Sequence, residues 1–291
     1  MDRTLVLGGS GFVGQELVRG LRCRSASFSG GGGSLQVDAT NLQSLSSLID
    51  REDPRVLVNC VGLADVDAAE RDEALATLLN ATVVENLAAA QARQGFRLVH
   101  ISTDYVFDGT SGDYHEEDPP HPVNVYGRTK LQGEEIARKV PHALILRISS
   151  PYGEGFGARK VQFFRYVVDS LRAGKRVRAL TDQRITPTYL PDLARATERL
   201  ITDEAAGIFH IGTTQPWTRF AFASEIARIA GLDPALLAPA TSAEMKNWVA
   251  KRPLDTTLNV ERSLKGGVRY TPVPEALAAL LAGPAPASAP S

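Results

Sequence analysis

Short apolar runs alternate with longer stretches of 3.6-residue period through the first half of the chain. That rhythm predicts strands alternating with helices, and hence a parallel sheet covered by helices. Arg3–Leu7, Ser25–Ser29, Arg55–Cys60, Leu98–Ser102 and Ala143–Ile148 read as strands. The run Arg55–Cys60 shows no polar alternation, as a strand buried on both faces requires. Phe12–Leu21, Asn41–Asp50, Glu73–Gln94 and Tyr126–Lys139 read as helices. In Glu73–Gln94 the apolar positions Leu75, Leu78, Leu79, Val83, Leu87 and Ala90 keep helical spacing, and Gly95 stops the element. Beyond residue 149 the rhythm loosens. Helices are predicted over Lys160–Ala173, Leu190–Ile201, Phe220–Ala230 and Pro274–Ala282, with one strand at Gly207–Gly212. Pro191 falls in a first turn, where a missing N–H costs little.

The pattern predicts a Rossmann-type α/β fold, a doubly wound parallel sheet with a smaller mixed C-terminal part. Residues 1–149 form the expected nucleotide domain, with about 188–213 returning to it. Residues 150–187 and 214–282 form the expected substrate-binding part. The Pro/Ala/Ser segment 283–291 is expected to be a disordered tail. A chain of 291 residues is long enough to bury a core without staples. Its 32 Lys and Arg against 33 Asp and Glu create no field for nucleic acid or anionic lipid. Two cysteines, Cys23 and Cys60, exclude a disulfide framework and a paired-cysteine zinc site. No apolar run reaches the ~18 residues needed to span a bilayer. These features predict a soluble, cytoplasmic protein that binds neither nucleic acid nor membrane.

Gly8-Gly9-Ser10-Gly11-Phe12-Val13-Gly14 follows the first strand and opens the first helix. Gly9, Gly11 and Gly14 satisfy G-x-G-x-x-G, and Gly8, Gly11 and Gly14 a looser spacing. Glycine there permits a tight turn, close approach of backbone to a pyrophosphate, and close helix–strand packing. A glycine-rich turn without a ligand is the plainer alternative; its place between strand and helix favours a dinucleotide. No acid occurs between Glu16 and Asp38 to hold a ribose 2′-hydroxyl, while Arg19, Arg22 and Arg24 fall in that gap. NADPH is therefore the expected cofactor, with NADH as the second choice. Asp38 is a candidate contact to the adenine, or else a loop acid or helix cap.

Tyr126 and Lys130 are four residues apart on a predicted helix and share a face. A cation within about 4–6 Å favours the phenolate, so the pair is a candidate proton donor to a carbonyl undergoing reduction. Ordinary amphipathic helices also carry such pairs; the glycine motif gives this one its meaning. Ser102-Thr103-Asp104 follows a strand at its carboxyl end, where open α/β sheets bind ligands. A plain turn or cap is the competing interpretation.

Taken together, Gly8–Gly14, Val58–Cys60, Val66–Glu70, Leu79–Thr82, Ser102–Gly109, Asn124–Glu134, Asp182-Gln183 with Pro187-Thr188, and Arg252-Pro253 carry a resemblance. The chain resembles the dTDP-4-dehydrorhamnose reductase family, within the extended short-chain dehydrogenase/reductase superfamily, to about residue 282. The resemblance implies an NADPH-dependent reductase of a nucleotide-linked 4-keto-6-deoxyhexose. It implies Thr103, Tyr126 and Lys130 as the catalytic set: Thr103 on the carbonyl, Tyr126 giving the proton, Lys130 on the nicotinamide ribose and lowering the tyrosine pKa. It places Gly8, Ser10, Gly11, Phe12, Val13, Gly14, Ser29, Asp38, Ala39, Cys60, Val61 and Gly62 at the cofactor, with Tyr126 and Lys130. It places Thr103, Asp104, Tyr126, Ser149, Arg184 and Arg252 at the substrate, Arg252 meeting the nucleotide diphosphate, and makes Asn80 a buttress. A homodimer is left open. Glu16 matches one magnesium ligand of some relatives without a complete set, so no metal is expected.

The chain departs from the family pattern at Gly62-Leu63-Ala64, where Ala-His-Thr is usual, and at Ser149-Ser150, where Ser-Trp is usual. Both departures alter the expected hexose pocket. Two further functions compete. Dehydratases of this superfamily tend to carry Thr-Asp-Glu where this chain has Thr103-Asp104-Tyr105, and epimerases hold NAD tightly. The non-catalytic regulatory subunit of methionine adenosyltransferase also resembles this family, but an intact Thr-Tyr-Lys set argues against that role.

Overall fold

The computed structural model describes residues 3–31, 33–154 and 162–283. The segment 284–291 and the first two residues of the helix expected from Lys160 lie outside them.

The chain opens with β1 (Thr4–Leu7), α1 (Phe12–Leu21), β2 (Arg24–Ser27), β3 (Leu35–Gln36), α2 (Leu42–Glu52) and β4 (Val56–Asn59). Next come α3 (Val66–Arg71), α4 (Glu73–Thr77), a π turn at Leu78–Thr82, α5 (Val83–Gln94), β5 (Arg97–Thr103), α6 (Val125–Ala137) and β6 (Leu144–Ile148). The remainder carries α7 (Phe163–Arg172), β7 (Val177–Leu180), β8 (Arg184–Ile185), α8 (Leu190–Thr202), β9 (Gly207–Ile211), β10 (Trp217–Thr218), α9 (Arg219–Ala230), β11 (Leu237–Ala240), α10 (Glu261–Lys265) and α11 (Val273–Ala282).

Seven strands form one parallel sheet in the order β3-β2-β1-β4-β5-β6-β9. The fold is thus a Rossmann-type α/β fold. The order reverses between β1 and β4, and the crevice at the carboxyl ends of those strands is where such sheets receive ligands. One face of the sheet packs on α2 and α5 through Leu45, Ile49, Val84 and Leu87. The other packs on α1 and α8 through Leu17, Leu21, Leu193 and Leu200. A separate apolar cluster joins α7, α9, α11, β7 and β11 around Val167, Phe222, Ile226 and Leu277. The short strands β7, β8, β10 and β11 pair outside the main sheet. No helix among the described residues is long and apolar enough to cross a membrane.

The continuous helix expected over Glu73–Gln94 is three pieces, α4, the π turn and α5. The apolar period fails before and within the π turn: Leu75 and Leu78 are exposed, and Ala76 and Asn80 are buried in their place. Such turns recur at functional sites, and this one holds Asn80.

Helix α6 is tied to the sheet by a buried ion pair. Glu134 is 0% exposed and Arg147, on β6, is 1% exposed. Arg147 donates from Nε to Glu134 Oε1 at 2.9 Å and from Nη2 to Oε2 at 2.7 Å. Ser102 on β5 donates to the same carboxylate, and Arg147 lies over the Phe107 ring at 5.0 Å. Removing one partner leaves a buried charge uncompensated, whereas replacing both with apolar groups often costs little. Glu134→Ala should therefore lose roughly 3–5 kcal/mol of stability in urea unfolding. Glu134→Leu combined with Arg147→Met should lose clearly less; equal losses would show that charge pairing is not what secures α6.

Candidate active site

The glycine turn is built by exclusion of side chains. Gly8 has φ +81°, and a Cβ there would stand 2.9 Å from both the Cys60 carbonyl carbon and Val61 N. A Cβ on Gly14 would meet the Gly8 carbonyl oxygen at 2.2 Å. Gly11 is the N-cap of α1 and offers no side chain to its first N–H groups. The positive end of the helix dipole and these amides thus face the crevice beside β4. Ser10 is exposed on the turn, Phe12 is buried, and Val13 packs against the core. The cradle fits a pyrophosphate: backbone comes close where any Cβ would block it.

The charge pattern of the adenosine end differs from expectation. Arg24 starts β2, at the end of the sheet away from the glycine turn, and pairs with Glu52. Arg22 caps the C-terminus of α1, and Arg19 pairs with Glu16 and Glu154. A strand separates these arginines from the carboxyl end of β2. The serines stand there instead: Ser29 is exposed just past β2, and Ser34 Oγ donates to Ser27 Oγ at 3.1 Å. Asp38 folds its carboxylate onto Thr40, accepting from Thr40 N at 2.9 Å and Thr40 Oγ1 at 2.6 Å. Ala39 is buried, and Asn41 rather than Asp38 caps α2.

Across the crevice, β5 delivers Thr103 and α6 delivers Tyr126 and Lys130. Asn124 caps α6 through Gly127 N at 2.8 Å and donates to Lys251 O at 2.8 Å, which sets where the helix begins. The Thr103 hydroxyl lies beside the Tyr126 phenol. It donates to Asp104 Oδ1 at 3.1 Å and accepts from Tyr105 N at 3.2 Å. Burial holds the Tyr126 phenol above the usual tyrosine range; Thr103 pulls it down, and Asp104 and Tyr105 push it further up. The expected acidifying effect of Lys130 is not what the geometry delivers. Its ammonium is turned to the Ile101 carbonyl, 2.7 Å away. Burial pushes Lys130 down to about 8, against the opposing pull of Glu134 and Cys60.

Asn80 clamps this arrangement from the π turn. Its Oδ1 accepts from Leu63 N at 2.8 Å and its Nδ2 donates to Thr129 Oγ1 at 2.9 Å. Thr129 in turn donates to Val125 O at 3.0 Å. The loop after β4 is thereby fixed to the turn of α6 between Tyr126 and Lys130. Gly62 belongs to that loop, and a Cβ on it would meet Asn80 Oδ1 at 2.8 Å and stand 3.9 Å from Lys130 Nζ. Val61 N is held by Asn59 Oδ1 at 3.1 Å, and burial pushes the Cys60 thiol up to about 12.

Asp104, 2% exposed, is wrapped in hydroxyls. Ser149 donates to its Oδ2 at 2.7 Å, Thr256 donates to the same oxygen, and Thr103 donates to Oδ1. Burial outweighs these bonds and raises its carboxyl above the usual range. Ser149, fully buried, is therefore aimed at Asp104. Arg252 pairs with Asp67 at 3.0 Å and lies over the Trp248 ring at 5.2 Å. Arg184, on β8, is half exposed and 3.6 Å from Asp255. The structure brings together Thr103, Asp104, Tyr126, Lys130 and Ser149; Arg184 and Arg252 stand on separate segments with carboxylate partners of their own. Sequence reasoning missed Tyr105, whose ring meets that of Tyr126 edge-on at 5.8 Å, and Thr256, Asp67 and Arg219. Tyr105 and Asp67 lie inside the stretches Ser102–Gly109 and Val66–Glu70 that carry the resemblance; Thr256 and Arg219 carry no local signal, since tertiary contact alone brings them here.

Lys130 offers a direct check on burial. Between pH 8 and 10.5 the unfolded chain retains a proton that the folded chain releases, so this residue's contribution to stability rises with pH there. The stability difference between wild type and Lys130→Met should shift toward wild type by on the order of 1 kcal/mol per pH unit across that window. Urea unfolding at closely spaced pH values reads it; a flat difference would mean the ammonium is solvated.

Comparison with known proteins agrees with this geometry. Residues 2–283 match the model of the RmlD substrate binding domain. A probable low-salt glycan biosynthesis reductase of Haloferax volcanii is 36% identical over 267 residues, covering 88% of this chain and 89% of that protein. A dTDP-4-dehydrorhamnose reductase of Mycobacterium tuberculosis is 35% identical over 260 residues, covering 87% of this chain and 84% of that one. The crystal structure of a Bacillus anthracis dTDP-4-dehydrorhamnose reductase in complex with NADP superposes with a TM-score of 0.84 at 26% identity, over 94% of this chain and 96% of that one. The glycine cradle, the Thr-Tyr-Lys cluster and these full-length matches place the chain in the RmlD family, that of the dTDP-4-dehydrorhamnose reductases.

Proposed function

We propose that the protein is an NADPH-dependent reductase of the C4 keto group of a nucleotide-linked 4-keto-6-deoxyhexose. The observation that carries this reading is the placing of Thr103 at the end of β5 beside Tyr126, with Lys130 on the same helix as Tyr126, facing a cradle that only glycine permits. A carbonyl oxygen lodged there receives the Tyr126 phenol as donor, and the Thr103 hydroxyl as a second donor once it turns from Asp104 Oδ1. The nicotinamide, when bound, supplies the hydride to the carbonyl carbon. Tyr126 gives its proton to the oxygen as negative charge develops there, and Thr103 stabilises that charge by hydrogen bonding. A phenol kept above its usual range by burial stays loaded with its proton at neutral pH. Lys130 is mostly charged at neutral pH and would hold the nicotinamide ribose hydroxyls. Gly8, Ser10, Gly11, Phe12, Val13 and Gly14 would line the pyrophosphate, and Cys60, Val61 and Gly62 the nicotinamide side.

NADPH is supported by the NADP complex of the Bacillus anthracis relative. It is also supported by the carboxyl end of β2, which presents Ser27, Ser29 and Ser34 and no carboxylate to repel a 2′-phosphate. Asp104 and Ser149 would act on the substrate through Thr103, while Arg252 and Arg184 would frame the nucleotide.

Tyr126→Phe removes the proton donor and leaves the cradle intact. Turnover in an NADPH-consumption assay over a panel of dTDP-, GDP- and CDP-4-keto sugars should fall about 10²–10⁴-fold, with little change in NADPH affinity. Wild-type rates in that variant would remove Tyr126 from the chemistry. In titration calorimetry NADPH should bind more tightly than NADH; the reverse order would refute the argument from β2.

A further inference from the structure

Four arginines surround the candidate site, and three have a carboxylate partner. Arg147 pairs with Glu134, Arg252 with Asp67 and Arg184 with Asp255. Arg219, at the start of α9, has no ion-pair partner among the described residues. It donates from Nε to Gln183 Oε1 at 2.9 Å and from Nη2 to Ser150 Oγ at 2.8 Å, and it lies 5.1 Å over the Phe163 ring. Its hydrogen-bond partners are neutral. A guanidinium has five N–H donors in a fixed fork, so donors remain for a further acceptor. Half-burying a cation without a counter-charge is costly, and the cost is recovered when a ligand brings that charge.

The place of Arg219 identifies the ligand. Contacts link Arg219 to the candidate site from two sides: the Tyr126 ring meets that of Tyr105, Tyr105 lies beside Gln183, and Gln183 accepts from Arg219. Arg219 donates to Ser150; its neighbour Ser149 donates to Asp104, Asp104 accepts from Thr103, and Thr103 meets Tyr126. Ser150 adopts φ +40°, a left-handed conformation unusual for a residue with a Cβ, and its hydroxyl meets Arg219. Gln183 is held in turn by Pro253 O at 3.0 Å, so the Arg219 fork is oriented from both sides. The charge of Arg219 reaches Asp104 and Tyr105 within this network.

We propose that Arg219 receives the negative charge of the substrate, a diphosphate oxygen of a sugar nucleotide whose carbonyl lies at Tyr126. The proposal rests on the nucleotide-sugar reading above and moves the principal anion contact from Arg252, already neutralised by Asp67, to Arg219.

Titration calorimetry with dTDP, dTDP-glucose and dTDP-glucuronic acid tests it on wild type, Arg219→Leu and Arg219→Lys. Arg219→Leu should weaken all three ligands roughly 10–100-fold, with Arg219→Lys between Arg219→Leu and wild type, because lysine keeps the charge and loses the fork. NADPH affinity and melting temperature should hold in both variants. An equal loss for all three ligands assigns the anion to the diphosphate and supports the proposal; a loss confined to dTDP-glucuronic acid assigns Arg219 to a sugar carboxylate and overturns it. Unchanged binding of all three in Arg219→Leu overturns it. A loss that follows falling melting temperature and NADPH affinity, with lysine no better than leucine, also overturns it by showing a packing role. If wild type binds none of the three while still binding NADPH, the nucleotide-sugar reading fails and this proposal fails with it.

Discussion

Helix α6 can lie on the sheet in one way because a carboxylate and a guanidinium must find each other where water cannot reach them. Among the described residues the Glu134 carboxylate takes its hydrogen bonds from Arg147 on β6 and Ser102 on β5, and those partners fix both the rotation of α6 and its height above the sheet. Tyr126, Lys130 and Glu134 recur every four residues, so setting the third sets the other two. Thr103 follows Ser102 directly on β5, which places the hydroxyl and the phenol in one frame. The placing of this candidate pair thus follows from a charge-pairing constraint about two helical turns further along α6.

Much of the scaffold is legible from the chain alone. Strands β1, β4, β5 and β6 are apolar runs because both faces of the sheet are covered, and α1, α2, α6, α8 and α9 announce themselves by period and by their stops. The glycine turn and the Tyr126–Lys130 spacing are equally local, so their chemistry can be read before any fold is known. Some of the shortest elements escape this reading. The strands β3, β8 and β10 and the short helix α3 are too brief to express a period, and tertiary pairing alone defines them.

The candidate site was less legible than the scaffold for the same physical reason. Arg19, Arg22 and Arg24 are close in sequence to the cofactor motif but not in space, because β2 carries the chain across the sheet before it reaches the ligand edge. The effect expected of Lys130 on Tyr126 follows from spacing only if the two head groups turn toward one another. Here the ammonium takes the Ile101 carbonyl, and burial governs the phenol. Conversely, Thr256 and Arg219 reach the site from residues more than a hundred positions away in the chain, a distance over which residue patterns carry no information.

The wide turn at Leu78–Thr82 makes helix regularity and site geometry antagonists in this chain. Its extra residue is what lets Asn80 look toward both the loop after β4 and helix α6. Shortening the segment by one residue would restore ordinary helical winding and swing every preceding side chain by about 100° relative to α5. The segment would gain intrinsic helical order while the amide that joins the two walls of the crevice turned away. The most obvious improvement to this helix, removal of its extra residue, is therefore one that would dismantle the joint between the two walls: its irregularity is held against the local preference of the backbone by the contacts Asn80 makes.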